Sequence, residues 1–149
     1  MTDELTYSDI VANSQPLIWK LFKYDSAIRE MTSNVLDKEP EKFNEGVGYP
    51  LFIIPEAQVS DSIVGLRKHE LTLFFNCATY ALRTNVLHDL DNAIRACLAK
   101  NRVSLMASGL CNGTIDSHPK PYPLDDGRLA YRSDVVIRFK TVVDGAPSD

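Results

Sequence analysis

The chain has 149 residues, 44% of them hydrophobic, which is enough apolar material for one core at the size of a typical single domain. Its net charge of −4 argues against coating nucleic acid, because phosphate binding needs a basic surface. No apolar run approaches the roughly 18 residues of a membrane-spanning helix, and the acidic start Met1-Thr2-Asp3-Glu4 lacks the basic region of a signal peptide. Three widely spaced cysteines, Cys77, Cys97 and Cys111, form no C-x-x-C pair, so neither a zinc ribbon nor a redox motif is indicated. A reduced, cytosolic setting is expected, with Cys77 and Cys97 as small buried thiols.

In chain order, residues 1–8 are expected to be a loose tail. Ser8 or Asp9 is placed to cap a short helix through Ala12, with Ile10 and Val11 as its apolar contacts. Ser14-Gln15-Pro16 reads as a second helix start, since proline is tolerated in a first turn. Leu17, Leu21, Tyr24 and Ile28 then recur at helical spacing, widened by Ile18 and Phe22. Positions 19–24 also alternate as a strand would, but the length of the pattern favours helix. Residues 32–48, with Pro40, Gly46 and Gly48, read as a polar connector with at most one helical turn.

Leu51-Phe52-Ile53-Ile54 is a short apolar run between Pro50 and Pro55, as expected of a buried strand. Residues 58–65 read as a polar tip, joining it as a long mobile loop to an alternating strand over 66–81. In that strand Leu71, Leu73, Phe75 and Cys77 point one way, and Glu70, Thr72, Phe74 and Asn76 the other. Thr84 or Asn85 caps an amphipathic helix whose stripe is Val86, Leu90, Ala93, Ile94, Cys97 and Leu98. Such a stripe after two strands is what covers one sheet face in an α+β domain.

The alternation of Val103, Leu105 and Ala107 predicts a third strand over 102–110, ended by an Asn112-Gly113 turn. Residues 115–128, with Pro119, Pro121, Pro123 and Asp125-Asp126-Gly127, read as a protruding irregular loop. The last strand has Tyr131, Ser133, Val135, Ile137, Phe139 and Thr141 on one face. Arg132, Asp134, Val136, Arg138 and Lys140 lie on the other. Residues 144–149 form a polar tail. The expected fold is a single α+β domain over 1–149. It would have a mixed or mainly antiparallel sheet of about four strands, an amphipathic helix on one face and an N-terminal helical region.

No constellation carries recognisable chemistry. His69-Glu70 has no second His at helical spacing and no downstream P-C-x-x-C, so the zinc protease and deaminase patterns are missing. His88 and Asp91, at i and i+3 on a helix, read as a surface pair. Asp116, His118, Asp125 and Asp126 gather on one stretch, but a proline-rich loop offers no rigid shell for a metal. The serines lack a G-x-S-x-G elbow, and there is no phosphate-binding glycine loop. The sequence predicts no catalytic residue, cofactor or metal site. The charges of the final strand offer more: Arg132, Asp134, Arg138 and Lys140, with Arg67 and Lys68, form a candidate assembly interface where charge complementarity sets register.

Over residues 45–143 the order of elements resembles a known family. The strand Tyr49-Pro50-Leu51-Phe52-Ile53-Ile54 precedes a long alternating strand with His69 near its start. An amphipathic helix over 86–98, a third strand, a variable loop and a final strand opening on Tyr131-Arg132 follow. This pattern is similar to that of the tail terminator, or tail completion, proteins of tailed bacteriophages and related archaeal viruses (the minor tail protein U group). The resemblance implies a structural virion subunit with no enzymatic role and no cofactor. It implies a homo-oligomeric ring, a hexamer in the usual case, at the head-proximal end of the tail tube. There the ring ends tube growth and joins the tail to the head connector. Its implied partners are the tube protein and the connector or neck protein, with DNA passing through the ring and no membrane. It also implies assembly in the host cytoplasm. Two other classes stay open on residues alone: a non-viral ligand-binding or regulatory module with the apolar sheet face lining a pocket, and a metal-dependent hydrolase using Asp116, His118 and Asp125 or Asp126.

Overall fold

The computed structural model describes residues 7–32, 34–38, 49–65, 68–124 and 127–144. Four helices and six strands follow in the order α1 (Tyr7–Lys23), α2 (Ser26–Met31), β1 (Val35–Leu36), β2 (Leu51–Ile53), β3 (Gln58–Gly65), β4 (Lys68–Ala81), α3 (Thr84–Lys100), α4 (Arg102–Ala107), β5 (Thr114–Pro123) and β6 (Leu129–Asp144). They form an α+β fold around one mixed sheet. β4 and β6 pair antiparallel along the whole length of β4, from Lys68 opposite Asp144 to Ala81 opposite Tyr131. β5 flanks β6. On the other side of β4, β3 and β2 lie end to end, and β1 adds outside β2 as the one parallel pair.

The alternation of β4 and β6 explains the core. Leu71, Leu73, Phe75 and Cys77 on β4, with Val135, Ile137 and Phe139 on β6, are buried on one face. Leu90, Ile94 and Cys97 of α3 and Ile18 and Phe22 of α1 belong to the same apolar cluster. Two edge-to-face ring pairs, Phe75 with Phe139 at 6.1 Å and Phe22 with Phe52 at 5.3 Å, mark the α3 and α1 halves of this layer. α1 is tied to the sheet margin by polar bonds as well. Trp19 Nε1 donates to the Val35 carbonyl at 3.0 Å, and Gln15 Nε2 to that of Ile54 at 2.9 Å. Asp25 caps α2 by accepting from the Ile28 N–H, and Lys100 bonds its other oxygen at 2.9 Å, fastening α2 to the end of α3. The opposite sheet face carries a smaller apolar cluster of Leu51, Ile53, Ala78 and Tyr80.

Several expectations are corrected. The two helices expected at the N-terminus are one, α1, and Pro16 lies inside it. Pro16 and Ala12, whose carbonyl loses its donor, are both exposed, so water can replace the missing bond. The helical stripe then breaks at Asp25, leaving Tyr24 exposed and Ile28 on α2. Residues 35–36 of the expected connector form β1, while 39–48 lie outside the described residues. The expected tip at 58–65 is strand β3, paired with β4 from Gln58 opposite Phe74 to Gly65 opposite Lys68.

Residues 102–110 are not a strand but helix α4 and its turn. Gly109, at φ +87°, ends the helix: Gly109 N–H donates to the Met106 carbonyl and Leu110 N–H to that of Leu105. This paired closure needs a left-handed residue, and glycine adopts that conformation without steric cost. The proline-rich stretch is not a loop but edge strand β5. Pro119, Pro121 and Pro123 face Ser133, Tyr131 and Leu129. Alternate residues of an edge strand turn their N–H away from the partner, so prolines at every second position cost the ladder nothing. The sheet therefore has six strands rather than about four.

Candidate functional site

The charged residues of β6 occupy the sheet face opposite α3, where the two-residue period places Arg132, Asp134, Val136, Arg138 and Lys140 together. Their roles differ. Arg132 is committed within the subunit. Its Nε bonds Asp134 Oδ1 at 2.9 Å, its Nη1 donates to Tyr80 Oη at 2.6 Å, and its guanidinium lies 5.2 Å from the Tyr80 ring centre. Lys120 Nζ reaches the other Asp134 oxygen at 3.1 Å. Partial burial works against the charge on Asp134, but the bonds from Lys120 and Arg132 outweigh it and hold the carboxyl below the usual carboxylate range.

Arg138 and Lys140 are exposed, and neither has an ion pair among the described residues. Arg138 stacks over Phe74 with 5.5 Å to the ring centre, which keeps its alkyl stem on the sheet and its head available. Lys140 sits opposite Thr72. Lys68 is exposed at the far end of β4, opposite Asp144. Arg67 lies outside the described residues. The structure thus places Arg132, Asp134, Arg138 and Lys140 on one face, and only Arg138 and Lys140 of these four lack an ion pair.

Lys120, Tyr80 and Phe74 belong to this face and were not singled out from sequence. Lys120 became legible only once β5 was a strand. The alternation of Asp116, His118 and Lys120 with prolines carried that signal.

A second feature lies on the helix side. Between the start of α3 and β5 is a cleft of about 470 Å³ lined by Leu87, His88, Asp91, Pro119, Pro121 and Tyr131, among others. Asp91 is not the surface partner of His88 that its spacing suggested. It is 4% exposed, and its Oδ1 accepts from the buried Thr79 hydroxyl at 2.8 Å. Burial pushes its carboxyl above the ordinary range, partly offset by the Thr79 and Ser133 hydroxyls and by the more distant Arg95 and His88. Ser133 Oγ is fully buried and makes no well-formed hydrogen bond, although it lies near enough to Asp91 to favour its charge. Arg95 fastens α3 along β5 by donating to the Ile115 carbonyl and to Ser117 Oγ.

The groups weighed for metal chemistry are dispersed. Asp116 and His118 share the outer face of β5, opposite Val136 and Asp134, while Asp125 and Asp126 lie outside the described residues. Among the described residues, no three His, Cys, Asp or Glu side chains are grouped to hold a metal ion. His69 Nδ1 meets Asp61 Oδ1 at 2.8 Å across β3 and β4. Burial raises the Cys77 thiol pKa, and raises that of Cys97 to about 12. No helix of the described residues is long and apolar enough to cross a membrane.

No protein-family model matches the chain, and no curated protein does. Its fold is similar to that of a chain in a solved structure described as the virion of a native gene transfer agent (GTA) particle. The TM-score is 0.57 at 12% identity, over 93% of this chain and all of the other.

Proposed function

We propose that this chain is a structural virion protein: a tail terminator, or tail completion, subunit. It closes into a ring, a hexamer, at the head-proximal end of a viral tail tube. The ring ends tube growth and joins the tail to the head connector, with the tube protein and the connector as partners and DNA passing through. The role is architectural, without catalysis or cofactor. The observation that carries this is the likeness of fold, nearly end to end in both chains, to a component of a gene transfer agent virion. The finer assignment rests on the resemblance in element order over residues 45–143, of which β2, the long strand β4 with His69, α3 and the final strand β6 are present, while the expected third strand is helix α4 and the expected loop is strand β5.

The outer sheet face supplies the chemistry such a subunit needs. Arg138 and Lys140 project from a rigid, fully paired strand, so they can recognise a partner without a greasy patch that would aggregate beforehand. A desolvated Arg–carboxylate pair couples by a few kcal/mol, against about 0–1 kcal/mol for an exposed one. Arg138→Glu is therefore expected to leave the subunit folded, losing only about 0.5–1 kcal/mol from its Phe74 contact. Virus carrying it should give tails of uncontrolled length or heads without tails, as should deletion of the gene. Normal particles from the deletion would refute the assignment. Normal particles from Arg138→Glu alone would show that this face is only solvated surface.

A further inference from the structure

The α3–β5 cleft and helix α4 lie at opposite ends of α3, about 20 Å apart along its axis at 1.5 Å per residue. Each is incomplete in a complementary way. Leu87, Pro119, Pro121 and Tyr131 give the cleft apolar walls, and Asp91 lines it with the polar His88 and Lys120. Asp91 accepts from the Thr79 hydroxyl, and Arg95 and His88 act on it only from beyond ion-pair distance, so it has no ion pair among the described residues. A buried carboxylate without a cation, beside a hydroxyl without a good hydrogen bond, is an arrangement that a partner's positive charge would relieve.

At the other end, α4 turns apolar side chains outward. Val103 is 80% exposed and Met106 51%, and their i, i+3 spacing puts them on one side of the helix. Arg102 stands next to them, exposed and without an ion pair among the described residues. The helix is held firmly beneath: Leu105 is buried, and the Gly109 turn closes its end. An apolar knob with a flanking cation thus faces away from the subunit that built it.

We propose that α4 of one subunit docks in the α3–β5 cleft of a second copy, with Val103 and Met106 against the apolar walls and the Arg102 guanidinium directed at Asp91. This rests on the chain being a ring subunit and specifies the contact between neighbours. Knob and socket are different surfaces of the same chain, so the contact is head-to-tail, and such contacts close into rings when their rotation permits. A two-fold dimer joining cleft to cleft would leave both α4 helices uncovered and Asp91 without a cation. The contact also leaves Arg138 and Lys140, on the other side of the sheet, for the tube or connector.

The test uses the full-length chain and native mass spectrometry. Wild type should give a ring mass. Val103→Glu and Arg102→Glu should each shift it to the monomer while circular dichroism stays unchanged, because both side chains are exposed. In a Cys111→Ser background, Val103→Cys protein mixed with His88→Cys protein should yield a covalent dimer with a short bismaleimide, and neither protein should do so alone. If Val103→Glu keeps the full ring mass and the mixture does not cross-link, the docking is overturned and the ring function stands on another interface. If wild type stays monomeric at every concentration and also on purified tail tubes, both the docking and the ring function fall.

Discussion

Gly113 follows the Asn112 turn and runs into β5 beneath the core. A Cβ placed there would stand 2.9 Å from Phe139 Cε1, 3.3 Å from Cδ1 and 3.5 Å from Leu98 Cδ1. The ring it meets cannot swing away, because Phe139 is 1% exposed and packs edge-to-face on Phe75. Restoring an ordinary carbon contact of about 3.5 Å needs a shift of about 0.6 Å in a close-packed layer. Overpacking of this kind costs about 1–3 kcal/mol. Gly113 is not in the left-handed region, so alanine also removes unfolded-state freedom and returns about 0.4–1 kcal/mol.

Gly113→Ala is therefore expected to destabilise by about 1–2 kcal/mol, lowering the urea midpoint by about 0.5 M. Gly65→Ala is the control. Its new Cβ would meet only Lys68 Cβ at 3.8 Å, and its effect should stay within about 0.5 kcal/mol. Combining Gly113→Ala with Phe139→Leu tests the cause, since the smaller side chain should cut the cost of the alanine by about 1 kcal/mol. A Gly113→Ala protein as stable as wild type, with no coupling to position 139, would refute this account of the close approach.

Leu90 is fully buried between α3 and the sheet, so Leu90→Ala should cost about 2–5 kcal/mol in urea unfolding; a loss below about half a kcal/mol would contradict the packing. Replacing Pro119, Pro121 and Pro123 together by threonine restores outward N–H groups along β5, and light scattering should then show open-ended association growing beyond the mass of the wild-type assembly. The Asp91 carboxyl has its folded pKa raised by burial, so its contribution is complete below the unfolded carboxylate pKa and is lost as pH rises through the folded value. Asp91→Asn removes this dependence. Its stability relative to wild type should accordingly be more favourable at pH 7 than at pH 4, and a gap that is flat or reversed would mean that the carboxylate is well solvated.

Local pattern alone determined the elements with a strong period. The alternation of β4 and β6 named both faces, and the α3 stripe named the helix that covers one of them, because side-chain period follows directly from backbone geometry. The charged side of β6 was legible for the same reason. Where two periods fit a short segment, only tertiary structure decided. Val103, Leu105 and Ala107 alternate like a strand, yet Leu105 alone finds the core and Gly109 closes a helix. Pro119, Pro121 and Pro123 break most strands, but β5 sits at the edge, where the missing N–H groups have no partner to lose. β3 is polar because it is paired along one side of β4 while most of its side chains over 58–62 stay exposed, so hydropathy could not reveal it. The burial of Asp91 was hidden because a carboxylate in a helix stripe looks solvated until the Thr79 hydroxyl on β4 is brought beneath it. Sequence spacing fixes which residues share a face; which face is covered, and by what, is set by contacts between residues far apart in the chain.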